Sequence, residues 1–234
     1  MKKFELTTEF ITNALGKKLF RIKALVEFGS VKAGELGGYA EKEENISQDG
    51  NAWVSGDARV YGNAWVSGDA RVYGDAWVHG NAKVFGNAEV YGDTEVSGDA
   101  KVFGNAEVYG DAKVYGNAWV YGDAWVHGNA KVFGNAWVYG DTEVSGDAKV
   151  SDNAEVSGDA DYALVKGFGT EFRYTTFYRD KNKKIMVNCG CFHGDLEAFR
   201  KQVKETRSGK IAKEYLMIAD LMEYHFTSED SSDE

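Results

Sequence analysis

The chain has 234 residues and a formal net charge of −10, with Glu229, Asp230, Asp233 and Glu234 crowding its last residues. That length allows one elongated domain or two small ones, and the acidity, uncompensated by any basic run, excludes bulk nucleic acid as a partner. No apolar stretch approaches the ~20 residues of a membrane-spanning helix, so no membrane association is expected. Met1-Lys2-Lys3-Phe4-Glu5 lacks a signal peptide's apolar core.

Residues 1–49 do not repeat. Phe4 to Phe10 and Lys18 to Phe28 are predicted strands. In the second, Phe20, Ile22 and Ala24 alternate with Arg21 and Lys23, the period of a half-buried strand. A stack of repeats leaves an open apolar end, and this segment is predicted to cover it as an N-terminal β cap.

From Gly50 to Ala163 the chain counts in sixes. Gly50-Asn51-Ala52-Trp53-Val54-Ser55 is followed by Gly56-Asp57-Ala58-Arg59-Val60-Tyr61, and the frame continues without a gap. Glycine with Asn or Asp tolerates the positive φ of a corner. Ala at the third place and Val at the fifth point to one side of a strand, and the fourth and sixth places point to the other. Three such sides close a triangular coil of eighteen residues with a narrow Ala/Val interior. The frame holds about six coils, and at strand spacing they make a prism roughly 29 Å tall.

Residues 164–226 are predicted as a small α+β unit. Phe172 to Tyr178 and Ile185 to Cys191 are strands around a polar loop. Asp195 caps a helix that buries Leu196, Phe199 and Val203, and a second helix sets Ile211, Tyr215, Ile218 and Met222 on one face. Residues 227–234 are predicted to be a disordered acidic tail. Cys189 and Cys191 are too close in sequence to pair with each other, and their use fits a reduced, cytoplasmic compartment.

The hexads resemble the hexapeptide-repeat, left-handed parallel β-helix superfamily. With the run Gly37-Gly38-Tyr39-Ala40-Glu41 leading into Gly-Asn-Ala-Trp-Val, the chain is similar to a phage and bacterial group labelled polymer-forming or putative-transferase-like. The resemblance implies an all-β left-handed parallel β-helix with an N-terminal β cap and a small C-terminal α+β unit. It also implies a homotrimer packed through its sides and, for a phage-encoded member, residence in the host cytoplasm. Hexapeptide acyltransferases use a histidine as general base, usually with a loop that leaves the coil. His79 and His127 are the candidates, but nothing interrupts the hexads here. Each occupies a place that Tyr, Phe or Ser holds elsewhere, so no catalytic residue is assigned.

Every third hexad falls on one side of the prism. The first side carries Trp53, Arg71, Glu89, Glu107, Trp125 and Glu143 at the fourth place. The second carries Arg59, Trp77, Glu95, Lys113, Lys131 and Lys149. The third is the most apolar: Phe85, Phe103, Tyr121 and Tyr139 form a stripe flanked by Trp119 and Trp137. Such a stripe either stabilises neighbouring coils or marks an interface with copies or a host protein. Residues 74–102 recur at 122–150 with one change, Glu89 to Trp137. The offset is eight hexads, so the copy lands on a different side, which argues against a side-specific catalytic site.

The C-terminal unit holds the densest chemistry. On one extended strand Cys189, Cys191 and His193 would face together, as a start of a zinc site or a thiol nucleophile, though paired-ligand spacing is missing. Arg173, Tyr174, Thr176, Tyr178 and Arg179 lie nearby. With Cys191 and His193 they suit a small anionic, nucleotide-like ligand through stacking and phosphate contacts, or they are simply a mixed strand surface. No cofactor or metal is expected. The sequence thus points to a non-enzymatic binding or scaffold protein that sequesters a host factor or small ligand. An acyltransferase and a filament-forming protein are the alternatives.

Overall fold

A computed structural model of the chain describes residues 2–227. Eighteen two-residue strands, β4 (Trp53–Val54) to β21 (Glu155–Val156), pair in parallel with the strand three places on and build the three sides of a parallel β-solenoid. Trp53 pairs with Arg71, Arg71 with Glu89, and so on at a step of eighteen residues. The third-place Ala and fifth-place Val line the interior, nearly all without exposed surface. Thr94 and Thr142 stand where Ala is expected. They remain buried because each hydroxyl donates to a carbonyl of its own corner, Tyr91 O at 3.1 Å and Tyr139 O at 2.7 Å.

The solenoid has about seven turns, one more than the hexads count. Strand β3 (Leu36–Ala40) pairs in parallel with Arg59–Val60, and Ile46 bridges to Val66, so residues before Gly50 make an extra turn. Strands β1 (Phe4–Thr12) and β2 (Lys18–Ala24) add antiparallel to β3 and continue the second side outward. In β2 the strict alternation fails. Leu19, not Phe20, is buried, and a register shift between Arg21 and Lys23 returns Ile22 and Ala24 to the core. Phe20 packs instead on Phe10, ring centroids 5.9 Å apart.

Each coil's N–H groups donate to carbonyls of the next, as Trp53 N does to Ala70 O. The first hexad coil therefore has carbonyls with no preceding hexad to serve them, and the last has N–H groups with no following one. Buried groups of this kind need partners. At the N-terminal end Ala52 O accepts from Lys3 Nζ at 3.0 Å, Ala58 O from the Tyr39 N–H at 2.9 Å, and Ala64 O from Asn45 Nδ2 at 2.8 Å. On the second and third sides Glu41 N and Ser47 N donate as well, to Val60 O at 3.0 Å and Val66 O at 2.8 Å. Burial lowers the Lys3 ammonium from its ordinary 10.5 to about 8. Folded chains then bind fewer protons at Lys3 than unfolded ones between about pH 8 and 10.4. Its contribution to stability should rise with pH across that window. Urea titrations at pH 8 and 10 check this, and Lys3→Met should flatten the difference.

At the other end, strands β22 (Tyr162–Phe168), β23 (Arg173–Arg179), β24 (Ile185–Cys189) and β25 (Phe192–Asp195) form an antiparallel sheet. Alternation along β23 puts Phe177 and Tyr178 on opposite faces. Phe177 packs with helices α1 (Leu196–Thr206) and α2 (Gly209–Thr227), while Tyr178 enters the solenoid core. The sheet is thus both the lid of the prism and the floor of the helical layer. Asp195 caps α1 as expected, accepting from Ala198 N at 2.8 Å. Arg200 ties the helices together through Glu197, Asp220 and Glu223.

Candidate functional site

The sixth-place side chains form ladders. Along the third side Phe85, Phe103, Tyr121 and Tyr139 stack at 4.8 to 5.0 Å between centroids, and Trp119 stacks on Trp137 at 5.3 Å. Stacked contacts of this kind contribute roughly 0.5 to 1.5 kcal/mol each beyond area burial. The ladder is not peculiar to that side. Tyr73, Tyr91, Tyr109 and His127 stack at 4.7 to 5.0 Å on the first side, and Tyr61 on His79 at 4.8 Å on the second.

A hydrogen bond accompanies many rungs. Tyr73 donates to Glu89 at 2.8 Å, Tyr91 to Glu107 at 3.0 Å and Tyr139 to Glu155 at 3.0 Å, each partner lying on the same side one coil on. Burial and the Glu107 carboxylate push the Tyr91 phenol up to about 12. His79 meets Glu95 at 3.1 Å and His127 meets Glu143 at 2.8 Å with the same sixteen-residue spacing. Both histidines therefore stand as tyrosine stand-ins, stacked on one ring and bonded to one carboxylate. The pair survives duplication onto another side because it spans only adjacent coils. Burial pushes the Glu95 carboxyl up, but hydrogen bonds from Lys113 and His79 outweigh it and leave the group below its ordinary value.

Of the residues singled out in the C-terminal unit, Tyr178 and His193 meet and the others lie apart. Thr176 is buried, and its Oγ1 accepts from Lys149 N at 3.1 Å, serving an N–H of the last coil. Asp161 does the same for Ser157 N at 3.1 Å, and Arg179 holds Asp161 at 3.3 Å on one side and the Phe226 carbonyl on the other. Tyr178 is fully buried, with Ser151 Oγ at 3.1 Å and His193 Nε2 at 3.3 Å. His193 also pairs with Asp152 at 2.6 Å, and Asp152 fills a corner with φ of 60° where the repeat has glycine. Tyr174 lies apart, its hydroxyl accepting from Lys166 at 3.1 Å. Arg173 begins β23, and its side chain lies outside the described residues.

The expected common face of Cys189, Cys191 and His193 is corrected by a hairpin. Gly190, with φ of 62°, and Cys191 form the turn between β24 and β25, and Cys189 pairs with Phe192 across it. The strand reverses between the cysteines, so the side chains part. Cys189 accepts a hydrogen bond from Thr175 at 3.1 Å, and Cys191 is exposed. Among the described residues no group of three His, Cys, Asp or Glu is placed to hold a metal. The binding set read from the sequence is largely the lid of the prism, built from polar residues because it must satisfy backbone edges.

A roomier cavity than any beside these residues lies elsewhere, at the N-terminal end of the first side. It measures about 650 Å³, between the loop at Gly29–Val31 and the first coils, with Trp53, Arg71 and Tyr73 on the coil wall. Trp53 is 5% exposed, wedged edge-on against Phe4 and Phe28, and its indole Nε1–H is buried without a partner. Gly29, at φ of 52°, lets the loop approach Asn51 closely. Sequence reasoning passed over this place. Its one visible signal is Ser55, a serine where the rungs below are aromatic.

Fold and ladders together define a parallel β-solenoid built of repeats. A family model described as the YdcK beta solenoid repeat matches residues 52–68, 64–80 and 112–128, all within the coil. No curated protein matches the chain.

Proposed function

We propose that the protein is a non-enzymatic binding or scaffold protein of the phage and bacterial hexapeptide-repeat group, sequestering a host factor or a small ligand. The observation that carries this reading is the fate of the two histidines. Each takes the position and partners of a tyrosine rung, and no loop leaves the coil to complete a catalytic site with them. A rigid prism closed at both ends by different units suits presentation of surfaces rather than turnover, and its closed ends oppose end-to-end filaments.

The third side, with Phe85, Phe103, Tyr121 and Tyr139 beside Trp119 and half-exposed Trp137, is the face on which we place self-association as a trimer or a host protein. Light scattering at micromolar concentration tests the trimer, and a clean monomer would remove it. His79→Tyr and His127→Tyr should leave thermal stability within about 0.5 kcal/mol of the parent, since the ring stack and the bond to glutamate persist. Calorimetric unfolding checks that expectation. An acid–base role would not move this readout, so turnover is measured beside it.

A further inference from the structure

The first-side ladder lacks a rung. Tyr73 stacks on Tyr91 at 4.8 Å with a 2° interplanar angle, covering one face of its ring. The register that pairs Trp53 with Arg71 and Val54 with Val72 sets Ser55 over the other face. Tyr91 and Tyr109 have rings on both sides at that spacing. Above Tyr73 there is instead the cavity of about 650 Å³, with Ser55 and Tyr73 both in its wall. On the third side the corresponding Ser67 is buried, so the open rung belongs to the first side.

The wall chemistry selects what can fill it. Arg71 stands 3.9 Å from Glu89, beyond hydrogen-bond distance, and is half-exposed beside the cavity. Glu35 and Asp69 face the same space. A phosphate would meet two carboxylates against one guanidinium, so a net negative charge is disfavoured. Asn51 Nδ2 donates to Asp69 Oδ1 at 2.7 Å and Lys32 N to Glu35 at 3.1 Å, and an uncharged ligand with both donors and acceptors fits what remains: the other carboxylate oxygens accept from amino and hydroxyl groups, and Arg71 and Ser30 supply donors. Volumes of roughly 300 to 1,000 Å³ are usual for small-molecule sites.

We propose that this cavity binds a neutral nucleoside, whose base stacks on Tyr73 as the missing rung while its amino and hydroxyl groups bond the polar wall. Bases stack on aromatic side chains whatever their identity, and Arg pairs with base edges. The site adds a small ligand to the binding role proposed above and stands independently of the third-side association.

The test is isothermal titration of the full chain with adenosine, guanosine, cytidine and uridine, with maltose as the sugar control. At least one nucleoside should bind one to one, and Tyr73→Ala should weaken it about tenfold or more. Because Tyr73→Ala also shortens a ladder, Ser55→Tyr is the second variant. It completes the ladder, so the fold is retained and the melting temperature should hold or rise while binding is lost. The inference is overturned if no nucleoside binds up to about 1 mM, if maltose binds and nucleosides do not, or if a folded Ser55→Tyr variant binds as well as the parent. None of these outcomes bears on the oligomeric state.

Discussion

Gly104→Ala should destabilise the solenoid by about 2 to 5 kcal/mol, a large effect for one methyl group. Gly104 has φ of +75°, and a Cβ there would lie 2.9 Å from Gly122 N and 3.0 Å from Gly122 O. The left-handed backbone costs a non-glycine residue about 1 to 2 kcal/mol. The collision adds roughly 1 to 3 kcal/mol, because the obstacle is backbone and cannot rotate aside. Gly16 separates the two terms. It has nearly the same φ, +76°, but nothing within 4 Å of its would-be Cβ. Gly16→Ala should therefore cost only the backbone part. Urea unfolding of both variants measures the difference, and equal costs would show that coil stacking does not enforce the corner glycines.

Tyr178→Ala should cost about 3 to 5 kcal/mol, the range for emptying a large buried aromatic site. Tyr178 is the largest fully buried side chain, and it closes the C-terminal end of the Ala/Val interior. Its removal also opens a solenoid end, whose uncovered edge is a template for pairing. Light scattering should then show concentration-dependent association beyond the parent's own oligomeric state. Tyr178→Phe keeps the plug. It loses the hydroxyl contact to Ser151, but Ser151 keeps Asp152 and Asn188 keeps the Lys149 carbonyl. Its cost should be about 1 kcal/mol. A Phe variant as unstable as the Ala variant would mean that the polar network, not the plug, holds the lid.

The interior was legible because hexad geometry is local. Glycine sets the corner, and two places two residues apart share a face. Asp195 and the α1 core residues were legible for the same reason. The extra turn was not, since its pairs, Tyr39 with Arg59 and Ile46 with Val66, are twenty residues apart rather than eighteen, and no hexad marks them. The binding set could not be told from a lid in the sequence, because a polar strand over an open solenoid end carries the same residue types as a ligand site. Thr176 and Asp161 accept from backbone N–H groups that sequence does not show to be orphaned. Gly190 was the signal that Cys189 and Cys191 part. The Tyr–Glu and His–Glu bonds are a property of the sorted sides, since each ring and its carboxylate lie sixteen residues apart on one side. The N-terminal cavity depends on a loop more than twenty residues from Trp53 folding over the first side, which no local pattern encodes.

The most direct measurement is of free thiol released from acetyl-CoA by the purified protein over a panel of hydroxyl and amino acceptors, with the His79→Tyr/His127→Tyr double variant run in parallel. A coil whose histidines serve as tyrosine rungs gives no release above the protein-free blank for either protein, and both unfold at the same temperature. Release by the parent that the folded double variant loses would contradict it, and would make the two histidines the working parts of an acyltransferase.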